Sequence, residues 1–81
     1  MKIEATIYFK MLPSHPDYGC VESPTEEMSI TDTYDFEDIY SFHDAKNLIR
    51  RDLGLVAGGG YNSKHITDTH FNFKRVGGRY E

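Results

Sequence analysis

The sequence predicts one small α+β domain: a three-stranded, mostly antiparallel sheet, built β-β-α-β in the order 2-1-3, with one helix packed on one face. Three observations predict it. Residues 2–11, and again the residues from Glu27 onward, alternate apolar and polar side chains with the period of a half-buried strand. A capping box follows, opening an apolar pattern of helical period, and then comes a stretch rich in Thr, Phe and Val. With 81 residues the chain is also too short to bury two independent cores.

In the first strand Ile3, Ala5, Ile7, Phe9 and Met11 share one face, while Glu4, Thr6, Tyr8 and Lys10 share the other. Leu12 to Thr25 reads as a long loop. Pro13, Pro16 and Pro24 each lack a backbone donor, and Asp17-Tyr18-Gly19 and Glu22-Ser23-Pro24 carry turn chemistry. In the second strand Met28, Ile30, Tyr34 and Phe36 face one way, and Ser29, Thr31, Thr33, Asp35 and Glu37 the other. Asp32 interrupts the apolar face, the pattern of an edge strand guarded against pairing with other molecules or of a strand end open to solvent.

Ser41-Phe42-His43-Asp44 matches the capping box and sets the helix start. Ala45, Leu48, Ile49, Asp52 and Leu53 follow at helical spacing, Arg50 and Arg51 are expected in the last turn, and Gly54 is expected to take the left-handed C-terminal position. Gly58-Gly59-Gly60 is expected to be a hinge or linker. Residues 64–76 form the third strand, and the tail Arg79-Tyr80-Glu81 is expected to fray. A strand-helix-strand passage returns in the direction it began, so the first strand fits between the second and third, antiparallel to both. The tetrapeptide Ile30-Thr31-Asp32-Thr33 recurs as Ile66-Thr67-Asp68-Thr69, which is too short to indicate a duplication.

Composition narrows the functional classes. An apolar content of 38% with a net charge of −4 is that of a folded globular chain. Cys20 stands alone, so no intrachain disulfide can form, and a cytoplasmic setting is expected. The longest apolar run, Leu53–Ala57, falls far short of the ~20 residues that span a bilayer, and MKIEATIYFK lacks the continuous apolar core of a signal peptide.

Metal, nucleophile and phosphate-loop patterns are incomplete. His15, Asp17 and Cys20, or Asp68 and His70, do not make the four-ligand spacing of structural zinc, and no cofactor is expected. Cys20 beside His15 lacks an oxyanion partner, and no G-x-S-x-G occurs, so the chain is read as a binding protein and not an enzyme. The glycine run leads into a strand and not a helix, unlike a phosphate loop.

Charge is divided along the chain. Residues 1–10 carry Lys2, Lys10 and Glu4; residues 11–45 carry nine acids and no Lys or Arg; residues 46–81 carry seven bases and three acids. The leading reading is a partner-binding acidic surface of Glu26, Glu27, Asp32, Asp35, Glu37 and Asp38, with Tyr34 and Tyr40 as contact anchors. Asp35 and Glu37 are expected to present a row of negative charge on one strand face. The partner is then a basic protein, one that handles nucleic acid being the natural class. The alternative is a nucleic-acid binder using Lys64, Lys74, Arg75 and Arg79 among His65, His70, Phe71, Phe73 and Tyr80. In size, acidity and lack of catalytic signature the chain is similar to the small inhibitors that bacteriophages and other mobile elements direct against host enzymes, anti-CRISPR and anti-restriction proteins among them. That likeness is one of class. A homodimer is expected as a way to hide the sheet face the helix leaves uncovered.

Overall fold

Strand β1 (Lys2–Met11) runs through the middle of a three-stranded sheet, with β2 (Met28–Asp35) and β3 (Ile66–Val76) antiparallel to it on either side, so the order is β2-β1-β3. The structure is a computed structural model that describes residues 1–37, 41–60 and 64–76. Helix α1 (Phe42–Ala57) packs on one face of this sheet. The expected element order and strand order are both found.

Alternation decides which face is covered. Ile3, Ala5, Ile7 and Phe9 of β1 are buried against Ala45, Ile49, Leu53 and Ala57 of α1, and Ile66 closes the far end. Each fully buried Ile or Leu contributes about 1.5–3 kcal/mol through loss of apolar surface from water. The opposite face is polar. Thr6 and Thr31 share a hydrogen bond of 2.8 Å, Tyr8 stacks on His70 with ring centroids 4.7 Å apart, and Lys10 reaches Asp68 at 3.7 Å. This face needs no cover, so the physical ground for expecting a homodimer is removed.

A bulge sits where ten residues of β1 meet eleven of β3. Tyr8 is opposite His70 but Lys10 is opposite Thr67, so β3 carries one extra residue. Asp68 absorbs it with φ of 53°, a left-handed backbone that Asp tolerates better than most residues. Lys64 and His65, expected within the third strand, form the turn before it.

The helix begins as the capping box requires, with Ser41 Oγ accepting from the Asp44 amide at 3.0 Å. It does not end at Gly54. That glycine is buried inside the helix, which continues to Ala57 with Gly58 as its cap. The three glycines are therefore not a linker. Gly59 donates to Val56 O at 3.2 Å and Gly60 to Leu55 O at 2.8 Å, the bond pair of a Schellman motif, with Gly59 at φ of 98°. A Cβ on Gly59 would lie 2.7 Å from Pro16 Cγ, so space as well as φ demands glycine there. Gly54 costs the helix about 1 kcal/mol relative to Ala. Burial of Ala57 and the bonds of this cap outweigh it.

The loop after β1 is better ordered than its prolines imply. His15 is buried; its Nε2 donates to Ala57 O at 2.7 Å, and its Nδ1 accepts from the Asp17 amide at 3.0 Å. These two bonds require the neutral Nε2–H tautomer. Leu12 donates to His65 O, Ser14 hydrogen-bonds His65 Nδ1, and a single 3-10 turn covers Tyr18–Cys20. At ~3.3 Å per strand residue and 1.5 Å per helix residue, the strands outrun the helix. The His15 loop closes the end of the core that the helix leaves uncovered. Arg50 and Arg51 are not in the last turn as expected, since the helix end lies well past them, and the last carbonyl is met by the neutral imidazole N–H of His15.

Candidate functional site

Helix α1 presents three stripes. The core stripe is Ala45, Ile49, Leu53 and Ala57, while Phe42, Lys46 and Arg50 turn toward β3 and Leu48, Arg51, Asp52 and Leu55 turn toward β2. Leu48 and Asp52, which fit the helical spacing of a core face, lie outside the core; Leu48 is 41% exposed.

On the β3 side two half-buried aromatic rings carry cations. Lys46 Nζ lies 5.0 Å from the Phe42 ring centroid and 5.9 Å from that of Phe73, and the Arg50 guanidinium lies 5.1 Å over Phe73. Asn47 holds Arg50 in place by accepting from Nη1 at 2.9 Å. Phe71 and Phe73 stack on each other at 5.8 Å and pack on the core, as their strand parity predicts.

On the β2 side the same geometry leaves a cleft of about 350 Å³, lined by Tyr34, Phe36, Leu48, Arg51, Asp52 and Leu55. The Tyr34 and Phe36 rings are stacked, nearly parallel, with centroids 6.0 Å apart, and both line the cleft. The Tyr34 hydroxyl donates to Asp52 Oδ2 at 2.8 Å and ties strand to helix across the cleft. Burial pushes the Tyr34 phenol well above its ordinary range, with the bond to Asp52 and the charges of Asp52 and Asp32 acting in the same direction. Tyr34, expected as a contact anchor, is thus a half-buried residue in the wall of the cleft. Sequence spacing gave no sign of the cleft, because Tyr34 and Asp52 belong to different elements.

Asp32 behaves as an edge guard. Met1 and Phe36 exchange both backbone bonds at 2.7 Å, so by alternation Tyr34, Asp32 and Ile30 also bond inward to β1, while Asp35, Thr33, Thr31 and Ser29 turn their amides to the free edge. Asp32 Oδ1 accepts the Thr33 amide at 2.9 Å, which occupies an edge donor that another strand would otherwise use.

The remaining acidic residues are exposed but dispersed. Glu26 and Glu27 precede Met28 at one end of β2, and Asp35 and Glu37 lie at the other, about 26 Å away by strand rise. Asp35 is on the outer face directly across from Lys2, and Glu37 follows the end of the strand in a bend. Among the described residues, no carboxylate between Glu22 and Glu37 forms an ion pair. Asp38 and Tyr40 lie outside the described residues.

The basic set diverges. Lys74 is opposite Glu4 on the outer face and Arg75 is opposite Ile3 on the helix face, while Lys64 precedes the far end of the strand. Arg79, with Tyr80, lies outside the described residues. Cys20 is exposed, and His15 has both ring nitrogens engaged, so it has no lone pair to offer a thiol. Among the described residues no three His, Cys, Asp or Glu side chains gather as metal ligands, and no helix is long and apolar enough to cross a membrane. No family model matches the chain, and no curated protein or solved structure matches it.

Proposed function

We propose that this protein is a small acidic binding module that takes a basic protein partner on its β2 side. One observation carries the reading: the carboxylates of residues 22–37 are exposed, and among the described residues none is paired with a cation of the same chain. Carboxylates left in water without cations keep their field, which accelerates encounter with a positive surface and disfavours negative ones. A protein whose cationic groove holds nucleic acid is the partner class this surface fits. Occupying that groove would make the module an inhibitor.

The salt dependence of capture tests the proposal. At about 0.1 M salt charges act over ~10 Å, and at about 1 M over only ~3 Å. The partner should be retained at the lower salt and released at the higher, and replacing Glu26, Glu27, Asp35 and Glu37 by their amides should slow association. Capture that is indifferent to both changes overturns the proposal.

A further inference from the structure

We propose that the cleft between α1 and β2 is an anchor pocket for one apolar side chain that the partner carries next to a Lys or Arg. This rests on the acidic-module reading and names the partner segment that the β2 side takes. At about 350 Å³ the cleft is near the lower limit of ligand sites, ~300–1,000 Å³, with room for one or two side chains and not for a large cofactor.

Its walls are apolar: the stacked rings of Tyr34 and Phe36 on the strand, with Leu48 and Leu55 on the helix. Its charge is set by neighbours. Asp52 lines the cleft with one oxygen taken by Tyr34, and Asp32 lies near enough to act on the same hydroxyl; among the described residues Arg51 is the single cation of the lining. Apolar walls beside two carboxylates are complementary to a side chain such as Leu or Phe next to a cation. The Tyr34–Asp52 bond holds strand and helix at a fixed separation before anything binds, which lowers the cost of ordering the site. An added partner strand on β2 is disfavoured, because Asp32 already occupies the Thr33 amide. The occupant therefore enters side chain first.

Three short synthetic peptides separate the possibilities, one of Lys and Leu, one of Lys and Ser, and one of Glu and Leu, titrated into isotope-labelled protein. The Lys/Leu peptide should shift the amide signals of Tyr34, Phe36, Leu48, Asp52 and Leu55, and bind about tenfold more tightly than the Lys/Ser peptide. Leu48→Ser should erase that difference while leaving the Lys/Ser affinity unchanged. Since Leu48 is 41% exposed, the variant should stay folded. Asp52→Asn, which keeps an acceptor for Tyr34 but removes the charge, should weaken Lys/Leu binding several-fold and gives a second readout.

Equal affinity of the two Lys peptides, or shifts that avoid the cleft, overturns the pocket and leaves the acidic module standing. Failure of both Lys peptides to bind overturns the module as well. Glu/Leu binding as tight as Lys/Leu overturns the stated ligand chemistry. Cleft signals that move with protein concentration and no peptide overturn it in favour of a second copy of the chain.

Discussion

The two sides of the helix are built from the same materials and end in opposite states. Toward β3, Lys46 and Arg50 lie over the half-buried rings of Phe42 and Phe73, so cations sit above the aromatic surface. Toward β2, Tyr34 and Phe36 line with Leu48 and Leu55 a cleft that the Tyr34–Asp52 bond spans. The lengths of the helix side chains make the difference: Lys and Arg reach over a strand-borne ring and keep their charge in water, whereas Leu does not. A closed side serves stability, and an open one is available for contact.

Substitutions can break or sharpen this contrast. The largest effect comes from the core that both sides share: Leu53→Ala should cost about 2–5 kcal/mol in urea unfolding and abolish the contrast by loosening the helix itself. Next is the bond that spans the cleft. Tyr34→Phe should cost about 1 kcal/mol near neutral pH. The pH dependence has a definite sign, since a phenol raised by folding holds its proton more tightly in the native state. Its stabilisation is complete below about pH 10 and is lost as pH rises beyond that. Unfolding curves of Tyr34→Phe measured at increasing alkaline pH should therefore fall less steeply than those of the parent.

Smaller still is the closed side. Arg50→Ala should lose about 0.5–1 kcal/mol, measured by thermal unfolding, through its contact with Phe73. Smallest is the open side, where Leu48→Ser should change stability by no more than about 0.5 kcal/mol. If Leu48→Ser costs as much as Arg50→Ala or more, the two sides are not different in kind.

The repeated tetrapeptide shows where local reading stops. In β2, Asp32 sits in regular register opposite Ala5 and folds onto its own edge; in β3, Asp68 takes a left-handed backbone and reaches Lys10. Identical neighbours did not set these conformations. The strand opposite did, because β1 offers β2 a matching register and offers β3 one residue too few.

Periodicity and capping chemistry determined the three strands, the helix start at Ser41 and the inward face of β1, because each depends on residues adjacent in sequence or two to four apart, and the direction of the strand-helix-strand connection determined the strand order. Tertiary contact decided the rest. Gly54 has the look of a helix stop, yet the helix runs on because Gly59 fits against Pro16 and His15 meets Ala57. Tyr34 was legible as an apolar-face residue of the second strand, but its bond to Asp52, eighteen residues along the chain, was not. Single-sign charge in the middle of the chain was legible, but its shape was not. A strand sends successive side chains to opposite faces, and only the packed helix fixes which carboxylates share a surface.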